Sequence, residues 1–386
     1  MGTPWRQHPS WEVVEEASEA AGRDIAGLLT DATDDELTET RNAQLATFTF
    51  SLLVLDAVER LGIEPTRLAG HSVGEYSALA ASGILGFEES VRVVTERGEA
   101  MQAAADGAPG VMTVVSGCDA DTVDIACRLA DGDVWVANFN SPEETVVAGE
   151  EGAVERAATL ALSMGARRAT PVRVGGAFHT PFMAAARDRL RKALATTTFH
   201  DPDTPVVANV DGRFHTGGDE WKVLLSAQLC SPIRWYQSVL RLAGVSDRHL
   251  DPEQIFVELG PGDSLSAMIR RILPSATTVK VSTPADLDTL VDTISGDSPL
   301  HAYASGHQGE LLYVSERVVI SPSAGVFEPV AGGGPGPGEP IEVGTLLGTV
   351  SGSEVLSPFA GTLKGSLAQP GERVQAGQPI VWLHAS

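Results

Sequence analysis

One stretch carries a plain chemical reading: Gly70-His71-Ser72-Val73-Gly74, followed by Glu75 and Tyr76. A serine between two glycines suits nucleophilic attack when a short strand precedes it and a helix comes after it. The flanks have that form. Thr66 to Ala69 is a short, largely apolar segment, and Ser77-Ala78-Leu79-Ala80-Ala81 is a run of good helix formers that stops at Gly83. The glycines permit a tight turn that a Cβ would obstruct. Such a turn sets the Ser72 hydroxyl over a helix N-terminus. There the Val73 amide and the helix dipole face a developing oxyanion. The plainer alternative is a chance Gly-x-Ser-x-Gly in a chain with 40 glycines, and the strand and helix flanks argue against it.

The elements that must hold this serine can be read from composition and pattern. A chain of 386 residues exceeds one average domain, and an apolar share of 43% is enough for real cores. A net charge of −24 argues against nucleic acid and anionic membrane surfaces as partners. No apolar run reaches the length of a membrane span, and the first residues lack an apolar signal core. Cys118, Cys127 and Cys230 are odd in number and lack metal-ligand spacing, which predicts free thiols, no metal site and a cytoplasmic setting.

Residues 10–63 read as helical, with a long buried helix from Leu45 to Leu61, and a further helix is expected from Glu88 to Ala104. From Gly110 the pattern becomes strand (111–115), helix (119–130), strand (134–139), strand (144–148), helix (150–164) and strand (169–174). This is βαββαβ, the split arrangement of a ferredoxin-like subdomain, here placed at 108–175. Helices at 181–194, 220–230, 235–242 and 263–273 then alternate with strands at 206–208, 254–259 and 278–281. Residues 284–310 read as a short helix and a linker. The last stretch contains an internal repeat: Ser321-Pro322-Ser323-Ala324-Gly325 with Gly338-Glu339-Pro340-Ile341, then Ser357-Pro358-Phe359-Ala360-Gly361 with Gly371-Glu372-Arg373-Val374. Short β segments punctuated by Gly and Pro predict two interlocked β halves around a small core.

Five motifs stand in order along the first 283 residues: Gly70-His71-Ser72-Val73-Gly74-Glu75, Glu96-Arg97-Gly98 with Met101-Gln102, Asn138-Phe139-Asn140-Ser141-Pro142, Gly176-Ala177-Phe178-His179-Thr180-Pro181, and Glu258-Leu259-Gly260-Pro261-Gly262. Together they resemble malonyl-CoA:acyl carrier protein transacylases and the related acyltransferase domains of polyketide synthases. The resemblance implies an α/β-hydrolase-like core with an inserted ferredoxin-like subdomain. It also implies a ping-pong transfer of malonyl from coenzyme A to the phosphopantetheine thiol of an acyl carrier protein, with no bound cofactor. In this family Ser72 would take the acyl group as an ester, and His179 would act as general base and then acid, held by a backbone carbonyl rather than by an aspartate. Val73 would supply an oxyanion donor, and Arg97 would grip the malonyl carboxylate with two parallel hydrogen bonds. Met101, Phe178 and Asn138 would line the substrate. Phe178 leans towards malonyl, because family members with Phe at this position tend to take it. Asn138 and Asn140 are equally readable as turn residues before Pro142, and His71 as packing. Arg187, Arg189, Arg191, Lys192, Arg270 and Arg271 either receive acidic partners or form solvated helix faces.

Two features depart from the family. The pattern normally opens with an apolar strand and a Gln-bearing loop that supplies a second oxyanion donor. Met1-Gly2-Thr3-Pro4-Trp5 matches the residues just after that loop, so the expectation is a start upstream of Met1. Residues 311–386 resemble a biotinyl/lipoyl carrier domain, but Val350-Ser351-Gly352-Ser353-Glu354-Val355 joins the halves without the lysine-bearing tip. The only lysine there, Lys364, falls in the second half, so neither biotin nor lipoyl attachment is expected. This all-β module would either dock a partner such as a carboxylase or synthase component or be a degenerate remnant of a carrier. Two other readings stay open: a catalytically weak adaptor that uses both folds for protein contacts, and a hydrolase of acyl thioesters.

Overall fold

The structure is a computed structural model that describes residues 1–244, 254–295, 316–330, 334–336, 338–358, 360–375 and 378–384. The linker expected up to residue 310 lies, from residue 296 on, outside the described residues. The chain divides into two compact units, one formed by residues 1–58 and 65–303 and the other by 59–64 and 304–386.

The first unit begins with helices α1 (Glu12–Ala21), α2 (Ile25–Thr30) and α3 (Asp34–Thr38). Each boundary has a local cause. Gly22 closes α1 in the left-handed region at φ 62°, the Asp24 carboxylate caps α2, and Thr33 with Glu36 forms a capping box on α3. Helix α4 (Thr40–Glu59) buries Leu45, Phe48, Phe50 and Leu53. It starts five residues before the expected Leu45, because Thr40, Asn42 and Gln44 are polar yet buried, which hydrophobic periodicity does not register. Helix α5 (Gly74–Ala81) comes directly after the elbow, and α6 (Phe87–Gly107) touches the first turns of α4, where the Thr40 N–H donates to Gln102 Oε1 at 2.9 Å. Gly98 permits that approach, since a Cβ there would come within 3.0 Å of the Arg41 Cα.

The inserted subdomain has the predicted order: β1 (Val111–Ser116), α7 (Ala120–Leu129), β2 (Val134–Ser141), β3 (Glu144–Gly149), α8 (Glu151–Ser163) and β4 (Arg168–Val172). Its strands form one antiparallel sheet in the order β2-β3-β1-β4. Alternation gives the sheet two apolar faces. Val115, Val136 and Val147 join a cluster that includes Val123 and Ala126 of α7 and Val154 and Ala157 of α8; Met112, Ala137, Val146 and Ala148 meet Ala177, two residues before His179.

The remainder of this unit is α9 (Ala184–Thr196), β5 (Val206–Val207), β6 (Phe214–His215), α10 (Glu220–Gln228), α11 (Trp235–Leu242), β7 (Ile255–Leu259), α12 (Ser264–Ile272), β8 (Thr277–Val281) and α13 (Ala285–Ser295). β7 and β8 pair in parallel, as a strand-helix-strand unit requires. The apolar segment before the elbow is not a full strand. It contributes one parallel bridge, Leu68 to Val206, because its partner β5 is two residues long.

The second unit holds β9 (Glu316–Ile320), β10 (Gly325–Pro329), β11 (Pro340–Ile341), β12 (Leu346–Val350), β13 (Ser353–Leu356), β14 (Gly361–Ser366), β15 (Arg373–Val374) and β16 (Pro379–His384). They form two four-stranded sheets, β13-β12-β10-β15 and β11-β14-β16-β9. Exchanging the equivalent strands of the two repeats turns one order into the other, so each sheet takes strands from both repeats. Phe327, Ile341, Val350, Val355, Leu363, Ile380 and Leu383 fill the space between. Between β12 and β13, Ser351 and Gly352 have φ values of 49° and 86°, and Val350 pairs with Ser353. That is a two-residue hairpin turn whose twist matches the strands.

Candidate active site

The elbow is built on strain that the sequence is shaped to hold. Ser72 sits at φ 55°, in the left-handed region where a side chain is disfavoured. Gly70 is required by close approach: a Cβ there would lie 1.9 Å from the Gly74 carbonyl carbon. Gly74 meets nothing, so the second glycine is not needed for space. Asn209 clamps the turn from the loop after β5. Its Oδ1 accepts the Ser72 N–H at 2.9 Å and its Nδ2 donates to the Gly70 carbonyl at 2.7 Å. The Val73 N–H at the head of α5 makes no hydrogen bond to another described residue and stands open to an oxyanion.

His179, also at positive φ (62°), places Nε2 2.8 Å from the Ser72 Oγ. Its Nδ1–H donates to the Gln228 carbonyl at 2.9 Å, which fixes the tautomer and leaves the Nε2 lone pair facing the hydroxyl. Burial, reinforced by the nearby Arg97 charge, pushes the imidazole pKa down to about 3. The ring is therefore neutral, as a base must be.

Arg97, from the middle of α6, is fully buried. One guanidinium nitrogen donates to the Gln44 amide oxygen. The other donates to Gln228 Oε1 at 2.9 Å and to Ser72 Oγ at 3.1 Å. Among the described residues no carboxylate lies within ion-pair reach of Arg97, and its Nε has no partner. A buried cation cradled by two neutral amides, beside a nucleophile, is suited to an anionic substrate group.

The other expected residues are distributed unevenly. Met101 is buried, and its sulfur accepts from Gln44 Nε2 at 3.2 Å, so it acts through Gln44. Phe178 packs against the apolar cluster around Met112 and Ala137. Asn138 is buried with its Oδ1 unpartnered. Asn140 meets His71 Nε2 at 3.2 Å, and His71 also stacks edge-on with Trp235. A groove of about 700 Å³ is lined by His179, Cys230, Phe139, Trp135, Arg234 and Arg128 among others. Of the basic residues singled out by sequence, Arg189 is tied to Glu96 and Arg271 to Glu144. Gln44, Asn209 and Gln228 carry no sequence signal and were not anticipated.

A hydroxyl nucleophile on an elbow, a neutral imidazole and an open amide define a serine acyl-transfer site on an α/β scaffold. A family model described as the acyl transferase domain matches residues 6–286, and the chain belongs to that family. The malonyl CoA-acyl carrier protein transacylase of Escherichia coli (strain K12) is 37% identical over 277 residues, covering 71% of this chain and 88% of that protein. Among solved structures, the malonyl CoA-acyl carrier protein transacylase from Coxiella burnetii superposes with a TM-score of 0.70 at 31% identity, over 74% of this chain and 90% of that one. A malonyl-transacylase in complex with its type II PKS acyl-carrier protein gives 0.67 at 34% identity, over 72% and 90%.

Proposed function

We propose that this protein moves a malonyl group from coenzyme A to the phosphopantetheine thiol of an acyl carrier protein, through a Ser72 ester, in fatty acid or polyketide synthesis. The observation that carries this reading is Arg97, buried without an ion pair among the described residues and within 3.1 Å of the Ser72 Oγ. In the first half-reaction Ser72 Oγ passes its proton to His179 Nε2 and attacks the thioester carbonyl. The oxyanion forms at the Val73 amide. The imidazolium then protonates the departing thiolate of coenzyme A. The second half-reaction reverses these roles with the carrier thiol as nucleophile. Arg97 holds the malonyl carboxylate throughout, exchanging its bond to Ser72 for two bonds to the substrate.

Intact mass after brief incubation with malonyl-CoA tests the reading. A malonyl adduct on the native chain, absent from Ser72→Ala, is expected; a folded native chain that takes no malonyl would overturn it. Neither the adaptor nor the hydrolase reading is favoured by a specific observation.

Residues 311–386 are read as a biotinyl/lipoyl-like domain without an acceptor lysine, which docks a carboxylase or synthase component. The paired four-stranded sheets and the short Ser351–Gly352 turn support this. A cytoplasmic location is proposed on the three free thiols.

A further inference from the structure

Glu75 lies in the first turn of α5 and is only 1% exposed. It takes no part in the proton transfers between Ser72 and His179. No Lys, Arg or His among the described residues forms an ion pair with it. Its carboxylate instead accepts the Asn209 backbone N–H at 2.6 Å on Oε1 and the Gln228 side-chain Nε2 at 2.5 Å on Oε2. Gln228 is the hub of the site. Its Nε2 also donates to the Ser72 carbonyl at 2.9 Å, its Oε1 accepts from Arg97, and its backbone carbonyl holds His179.

We infer that Glu75 is a positioning residue that sets Arg97 for the substrate carboxylate by fixing which way the Gln228 amide points. The inference rests on Arg97 being the carboxylate receptor. A glutamine amide has a donor end and an acceptor end of nearly the same shape, so its orientation is set by what surrounds it. Around Gln228 Nε2 stand oxygens: the Glu75 carboxylate, the Ser72 carbonyl and, at 3.4 Å, Asn209 Oδ1. The nitrogen must face them, which turns the oxygen to Arg97. A glutamine at position 75 would still offer an oxygen to the immobile Asn209 N–H. Its own NH2 would then oppose that of Gln228. Relief requires the Gln228 amide to flip or withdraw, and Arg97 then meets a donor or a gap. With one of its two amide acceptors gone, the guanidinium leaves the position in which it presents two N–H groups to a carboxylate.

The test compares Glu75→Gln and Gln228→Asn with the native protein, following acylation of Ser72 by mass. Two probes are used: malonyl-CoA, which carries a carboxylate, and p-nitrophenyl acetate, a neutral ester that needs only the nucleophile, base and oxyanion donor. Both variants are expected to raise the half-saturating malonyl-CoA concentration about 10-fold or more, and in Glu75→Gln the p-nitrophenyl acetate rate is expected to change less than about 3-fold. Gln228→Asn keeps the backbone carbonyl that holds His179 but also withdraws the amide from the Ser72 carbonyl, so it is read by a larger loss with malonyl-CoA than with p-nitrophenyl acetate, and it answers the question even if Glu75→Gln fails to fold. Equal losses with both probes would show a general structural role and overturn the inference, as would an unchanged malonyl-CoA response in either folded variant. A native protein that reacts with p-nitrophenyl acetate but not with malonyl-CoA would instead overturn the functional reading, and the inference with it.

Discussion

At the scale of single residues, the site separates chemistry from recognition. In the proposed mechanism Ser72, His179 and the Val73 amide carry the acyl transfer, whereas Arg97 bears on which acyl group is taken. Arg97→Ala is expected to lower malonyl-CoA acylation about 10- to 100-fold, the effect of losing hydrogen bonds to a charged group, and to spare p-nitrophenyl acetate. Parallel kinetics with the two esters check this. Arg97→Lys is not expected to restore function, because an ammonium lacks the planar fork that reaches Gln44, Gln228 and a carboxylate together. The pKa of His179 has two consequences. With the imidazole held near 3, the acylation rate should show no inflection at the ordinary histidine value of 6.5. The folded pKa is depressed, so the stability contributed by the neutral ring is present above pH 6.5 and lost as pH falls towards 3. Burial raises the Glu75 pKa from 4.5 to about 7, so its contribution runs the other way, present below 4.5 and lost as pH rises through 7. The two terms oppose each other between pH 4.5 and 6.5, so melting temperature against pH for His179→Ala should be flatter than native only between about pH 4.5 and 3, where the His179 term acts alone.

At the scale of elements, glycine permits close approach near the site both at the elbow and where α6 meets the start of α4. Gly70→Ala places a methyl 1.9 Å from backbone that cannot yield. It is expected to abolish acylation and to cost several kcal/mol, about 3 or more, of stability. Gly74→Ala enters open space at the head of a helix, and its melting temperature should match native, within about 0.5 kcal/mol of stability. Thermal melts of the pair separate a packing requirement from a motif. Gly98→Val would force α4 away from α6, and because Gln44 and Arg97 sit on those two helices, malonyl-CoA acylation should fall together with stability. The inserted sheet contributes through its second face, where Met112 and Ala137 pack on the segment that carries His179.

At the scale of the molecule, a catalytic unit is joined to a small β unit with its own core. The turn at the centre of that β unit is Ser351–Gly352, and Lys364 is held within β14, not at a hairpin tip. A ligase that modifies a lysine presented on a protruding turn finds none here. Streptavidin blotting of protein made beside an active biotin ligase should be blank, and a biotinylated band at Lys364 would refute this.

Much of this architecture is legible along the chain. The elbow can be read because its glycines, serine and helix formers are contiguous. The βαββαβ insertion can be read because helix and strand periods alternate over short spans. The paired β halves show as a repeat. Such signals are local, written in spacing and in φ-permissive residues. The polar scaffold behind the nucleophile is of another kind. Gln44, Asn209 and Gln228 look like ordinary polar residues in a helix, a loop and a helix, and Glu75 like a solvated first-turn acid. They meet across 53 residues from Gln44 to Arg97 and 153 from Glu75 to Gln228. No periodicity announces a buried polar group, since its cost is offset only by partners that packing brings to it. The nucleophile and its fold class thus belong to local sequence; the orientation of the amides that aim Arg97 exists only once distant helices have closed over it.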